Sequence, residues 1–359
     1  MKVLVTGHKG YIGSVLLPIL EKDNHTVTGL DNEYFVPCVF GKPPDKVNSL
    51  KKDIRDIGSD DLKSFDAVIH LAGLSNDPLG DLNPSLTHDI NYRATVRLAE
   101  LAKNAGVKRF LFSSSCSNYG VAGNDLLDED AKQNPQTPYA RSKIAAETEL
   151  ATLADGDFSP TFLRSGTAYG LSPYLRFDLV LNNLTAWAYT TGNVHLKSDG
   201  SAWRPVVHVE DISRAFAAVL NADRKTVHNQ AFNVGRTDEN YQVHELAKIV
   251  QEVVPKSSIE YEAGARADRR TYKVDCSRIT RALPQFKPKW GARKGVVQLY
   301  KAFKKAGLCL ENFEVFRYKR ISHIKDLMDK NLLDETLQWT DSFSHTGERM
   351  GETHAGQAR

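Results

Sequence analysis

The chain has 359 residues, 41% hydrophobic and 25% charged, with a formal net charge of +3. That is a globular composition, ample for a large core in one large or two modest domains. The small charge, without a concentrated basic run, gives no indication of nucleic acid as a partner, and no apolar run approaches the ~20 residues of a bilayer span.

The elements read in order as follows. Residues 3–5 form a short apolar strand, closed by Gly7; this break argues against a signal peptide, so the expectation is a soluble, cytoplasmic chain with no membrane partner. Gly7, Gly10 and Gly13 are spaced G-x-x-G-x-x-G, and residues 14–22 form the next helix. In that setting Gly7 allows a tight turn, Gly10 lets the backbone approach a pyrophosphate, and Gly13 lets helix pack on strand. The helix N-terminus offers free N–H groups to an anion.

A strand over 26–30 ends in Asp31, an acid placed to hold a ribose diol and to repel a 2′-phosphate, which favours NAD over NADP. Lys9 is the opposing feature, since a base in the loop could meet a 2′-phosphate. Further expected elements are a strand reaching Asp53, a strand over 65–71, a helix over 84–104, a strand over 109–112, a helix over 138–153 and a strand over 161–164. This repetition predicts an α/β fold: a Rossmann-type, doubly wound parallel sheet over 1–165.

A smaller C-terminal α/β substrate-binding part, 166–340, follows, with helices over 211–220, 242–253 and 295–306, some segments returning to the sheet, and a polar, disordered tail over 341–359. Cys38, Cys116, Cys276 and Cys309 show no metal-ligand spacing and read as reduced thiols; no metal site is expected.

Tyr139 and Lys143 stand four residues apart in the predicted 138–153 helix, hence on one face. A free tyrosine titrates at pH ~10, and bringing it to neutrality takes roughly 4 kcal/mol. A cation in a partly desolvated site supplies much of that. Alone the spacing is common; the glycine loop and Ser115 upstream give it weight.

These residues carry a family likeness. Residues 6–13, Asp31, Asp53, His70 through Gly73, Asn91, Ser113 through Ser115, Tyr139 with Lys143, and Arg164 through Gly170 match in order and spacing. Over about residues 1–300 the chain resembles the extended short-chain dehydrogenase/reductase family, in its NAD-dependent nucleotide-sugar epimerase/dehydratase branch. The resemblance implies Tyr139 as catalytic base and acid, Lys143 on the nicotinamide ribose, and Ser115 on the reacting hydroxyl.

It also implies a cofactor cradle of Gly7, Gly10, Tyr11, Ile12 and Gly13, with Asp31 and Asn32 on the adenosine ribose and Asp53 and Ile54 beside the adenine. Leu71, Ala72, Gly73 and Ser113 lie along the rest of the NAD, and Asn91 is structural or near it. On the substrate side it implies Ser75, Asn76, Thr167 and Asn182 near the sugar nucleotide, and Arg204 and Arg270 on its diphosphate, where a planar fork suits phosphate. His208 reads as a structural histidine. The segment over about 308–340 falls outside the match, and 316–339 within it reads as an added helical cap. A homodimer through the 84–104 and 138–153 helices is the family expectation.

Dehydratases of this branch carry an Asp-Glu pair directly after the serine; here Cys116 and Ser117 stand there. Double epimerases carry a cysteine two places after it, where this chain has Ser117, so Cys116 reads as a packed residue beside the site. Plain C4 redox chemistry is left. The leading expectation is an NAD-dependent nucleotide-sugar 4-epimerase, with an NAD(P)H-dependent 4-ketoreductase second and a non-catalytic NAD-binding scaffold third. Thr167, where epimerases keep an asparagine, and Asn118 leave the hexose and the base open.

Overall fold

The computed structural model describes residues 1–42, 47–75, 83–268, 270–314 and 318–340. Its centre is a seven-stranded parallel sheet of β1 (Lys2–Thr6), β2 (Thr26–Asp31), β3 (Asn48–Lys51), β4 (Ala67–His70), β5 (Arg109–Ser115), β6 (Ser159–Ser165) and β7 (Gln230–Val234). The order across the sheet is β7-β6-β5-β4-β1-β2-β3. In β1, Val3 and Val5 enter one core cluster and Leu4 the other. Alternate side chains leave a strand on opposite faces, so an apolar run buried at every position needs helices on both sides. The sheet has them: Leu98 packs on one face and Phe216 on the other. Thr6 pairs with His70, and Ser115 with Ser165, so the carboxyl ends of the strands share one edge.

Helix α1 (Gly13–Lys22) follows the glycine loop. The helix expected over 84–104 is broken. Pro84–His88 runs into a π-helical turn at Asp89–Arg93, and only then into α2 (Ala94–Asn104). The wider turn lets Asn91 reach back: its Oδ1 accepts the Leu74 N–H at 2.7 Å and its Nδ2 donates to the Leu74 carbonyl at 3.0 Å. Such turns recur beside functional sites. Helix α3 (Pro138–Thr152) is started by Thr137, whose hydroxyl accepts the Ala140 N–H at 3.2 Å, with Pro138 in the first turn.

The strand expected to reach Asp53 stops at Lys51. Asp53 caps a short 3-10 turn instead, accepting the Arg55 N–H at 2.8 Å.

The second half adds a three-stranded sheet, Thr167–Tyr169 beside Trp203–His208 beside Asn240–Gln242, and a parallel pair, Asn193–Leu196 with Ser258–Tyr261; Thr271–Val274 pairs in parallel with Val121–Leu127 of the first half. Two of its expected helices begin earlier, at Val209 and Ala292, and the third begins at Val243. Among the described residues of the expected helical cap, the α-helix covers Arg320–Asp329; beyond it Leu333 and Trp339 form an antiparallel bridge. This segment packs on the main sheet's side, with Ile324, Leu327, Leu333 and Leu337 in the same core cluster as Leu4 and Phe110. The tail from 341 lies outside the described residues.

Candidate active site

One cleft of about 930 Å³ opens along the carboxyl ends of the strands. Ligands of doubly wound sheets bind there. All of the cradle residues Gly7, Gly10, Tyr11, Ile12 and Gly13 line it, as do Asp31, Asn32, Asp53, Ile54, Leu71, Ala72, Gly73 and Ser113. Ser115, Tyr139 and Lys143 line it too, with Ser75, Thr167, Arg204 and Arg270. Asn76 lies outside the described residues.

The first wall is built for close backbone approach. Gly7 has φ +71°, and a Cβ there would come within 2.8 Å of the Ala72 nitrogen. A Cβ on Gly13 would meet the Gly7 carbonyl oxygen at 2.5 Å, so α1 can pack on the loop only through glycine. The Asp31 carboxylate accepts the Lys9 N–H at 2.9 Å and the Glu33 N–H at 2.8 Å. Burial raises its pKa against those bonds. Two backbone N–H groups leave carboxylate lone pairs for a ribose diol. The Lys9 ammonium is ion-paired with Glu33. Glycine cradle, helix N-terminus and ribose acid together fit NAD.

Tyr139, Lys143 and Glu147 follow one another down one face of α3. Lys143 is buried, and its Nζ donates to the Ser113 carbonyl at 2.8 Å. The ammonium stands 4.6 Å from the Phe112 ring centre and 5.7 Å from that of Tyr139. Burial pushes the lysine down to about 8, with the Glu147 charge opposing. Glu147 is itself fixed by Arg164, at 2.6 Å, and by Ser114 and Asn118. Ser115 caps the turn Cys116–Tyr119, its Oγ accepting the Ser117 N–H at 3.1 Å.

Cys116 turns inward: fully buried, it donates its S–H to the Arg164 carbonyl at 3.1 Å, and burial pushes the thiol up. Ser117 remains on the cleft. Asn91 holds the Leu74 backbone behind Gly73, where a Cβ would meet its Oδ1 at 2.8 Å. His208 stacks on Trp290 at 3.9 Å and bonds Gln298 at 2.9 Å.

On the substrate side one expectation is corrected. Asn182 does not line the cleft: it is fully buried, accepts the Gly170 N–H at 2.9 Å and donates to the Arg176 carbonyl at 3.0 Å. Asn183, its neighbour, lines the cleft instead. Arg204 and Arg270 converge on Asp268, at 2.6 Å and 2.8 Å. Two guanidiniums on one carboxylate leave a net positive charge for a phosphate group. Arg176, Asp178 and Arg320 line the cleft and were not expected from the sequence. The Arg-x-Asp spacing of the first two, in a loop after a strand end, is the available signal. Arg320 lies where the family pattern has run out.

Residues 3–235 match the model of the NAD dependent epimerase/dehydratase family. The chain is 30% identical to UDP-glucose 4-epimerase 4 of Oryza sativa subsp. japonica over 83% of this chain and 87% of that protein. It is 27% identical to UDP-glucose 4-epimerase of Bacillus subtilis, over 83% and 94%. Among solved structures, MoeE5 in complex with UDP-glucose and NAD superposes with a TM-score of 0.74 at 28% identity, covering 86% of this chain and 100% of MoeE5.

Proposed function

Because the chain belongs to the NAD-dependent epimerase/dehydratase family, we propose that it is a nucleotide-sugar 4-epimerase acting by transient oxidation at sugar C4. The observation that carries this reading is the Lys143 ammonium, 5.7 Å from the Tyr139 ring, on a cleft where Ser117 and the inward-facing Cys116 stand in place of the dehydratase acids. Bound NAD supplies the acceptor and donor of the C4 hydride.

The chain's own residues manage the proton. Tyr139, as phenolate, accepts it from the C4 hydroxyl and later returns it. Lys143 holds positive charge beside the Tyr139 ring in a desolvated wall, which favours the phenolate. Ser115 hydrogen-bonds the reacting oxygen. Arg204 and Arg270 take the diphosphate, so the hexose can turn over while its nucleotide stays anchored. Thr167 and Ser75 line the same cleft, and we assign them to the sugar.

The test is a panel of nucleotide hexoses, with UDP-hexoses first because the relatives carry UDP-glucose 4-epimerase names. C4 inversion without added cofactor is expected. Stoichiometric cofactor consumption on a keto-sugar without inversion makes it a ketoreductase, and silence on every substrate by NAD-loaded protein sinks the enzymatic reading.

A homodimer through α2 and α3 belongs to the same reading. It is supported by Val96, Ile144 and Ala145, apolar residues of those helices left half-buried in the single chain. Four free cysteines agree with a reducing cytoplasm.

A further inference from the structure

Arg320 stands at the start of the Arg320–Asp329 helix and lines the cleft while only 3% exposed. Its guanidinium lies 3.9 Å from the centre of the Phe35 ring, and Nη2 donates to the Tyr174 carbonyl at 3.3 Å. Nη1 is buried and has no hydrogen-bond partner among the described residues. Nearby Arg176 is equally buried but neutralised: Asp178 takes its Nε at 3.0 Å and its Nη2 at 2.7 Å. No ion pair of that kind holds Arg320 among the described residues. Burial, then the Arg176 charge, pushes it down to about 10, so it remains a cation at neutral pH. The Asp178 and Asp31 charges oppose that push, though neither is ion-paired with Arg320 among the described residues; a buried cation without a paired counter-ion is costly, and the cleft it lines is where an anion can reach it.

The chain around Arg320 is fastened to the dinucleotide side of the cleft. His323 Nε2 bonds the Tyr34 carbonyl at 2.8 Å, and Trp339 Nε1 donates to the Asn32 carbonyl at 2.6 Å. The Tyr34 hydroxyl donates to the Leu337 carbonyl. These anchors follow Asp31, the ribose acid. The arginines suited to a sugar nucleotide form a separate group around Asp268.

We propose that Arg320 is a ligand of the diphosphate of bound NAD, contributed by a C-terminal segment that completes the cofactor site. The inference rests on the family's cofactor and not on the identity of the sugar.

The test uses the full chain, stripped of NAD and reloaded, with Arg320→Met, which keeps an unbranched side chain on Phe35, and Arg320→Lys. A charge-assisted hydrogen bond predicts NAD and ADP-ribose affinities about 10–100-fold weaker in Arg320→Met. Adenosine and UDP affinities should stay within error, and Arg320→Lys should recover part of the loss. The NAD-free Met variant should melt no lower than wild type, since it removes a buried charge that has no ion-pair partner. Unchanged NAD affinity overturns the proposal. So does a loss of UDP affinity with NAD binding intact, which would put Arg320 on the sugar nucleotide. A lowered Tm with equal losses for ADP-ribose and adenosine makes Arg320 structural and also overturns it. Wild-type protein that takes up no NAD removes the cofactor assignment itself, a different failure.

Discussion

At the residue scale, Lys143 does two opposed things. In the proposed reaction its charge is needed beside Tyr139, and its burial makes that charge expensive. With a folded pKa of about 8 against an unfolded value of ~10.4, the burden is fully present below pH 8. Between the two values the unfolded chain holds more protons, so stability rises with pH. NAD-free wild type should therefore gain urea midpoint relative to Lys143→Met between pH 8 and 10. A flat difference across that window would mean the ammonium is not desolvated.

The alignment of Tyr139 and Lys143 was legible in the sequence because a helix repeats locally: the two share a face whatever the rest of the fold does. Asn182 and Asn183 were not, since neighbours on a helix point about 100° apart and only tertiary packing decides which one looks inward. Arg176 and Arg320 escaped notice because a lone arginine in a sequence reads as surface, and their burial depends on contacts made across the chain.

At the element scale, the alternating strands and helices of the first half announce themselves through short apolar runs and turn residues, and the parallel sheet follows. Boundaries moved where a side chain overrode the pattern, as Asp53 did by capping a turn. The π-turn at Asp89–Arg93 left no mark in the periodicity, because one extra residue in a helical turn changes register and not composition. The segment over Arg320–Trp339 is the largest departure. It shares a core cluster with the main sheet, so it should unfold with that sheet. Ile324 is fully buried, and Ile324→Ala should cost roughly 2–4 kcal/mol. Denaturant unfolding followed by tryptophan fluorescence and by circular dichroism should give coincident transitions. Separate transitions would make the segment an independently melting appendage.

At the scale of the whole molecule, the half-buried apolar residues of α2 and α3 predict a pair of chains. Light scattering on a sizing column should give twice the 40.0 kDa chain mass, and Ile144→Asp should shift it toward the monomer while leaving NAD binding in place. A wild-type monomer at micromolar concentration would sink the dimer. The tie between Trp339 and Asn32 also has a consequence for how the molecule comes into being. Synthesis runs from the N-terminus and domains fold as they emerge, so the glycine cradle can form early on the ribosome. The wall fastened at Asn32 and Tyr34 arrives only with residues beyond 320. On the proposed role of Arg320, a nascent chain halted before that residue would present a half-finished dinucleotide groove, and tight capture of NAD would wait for the segment that carries it.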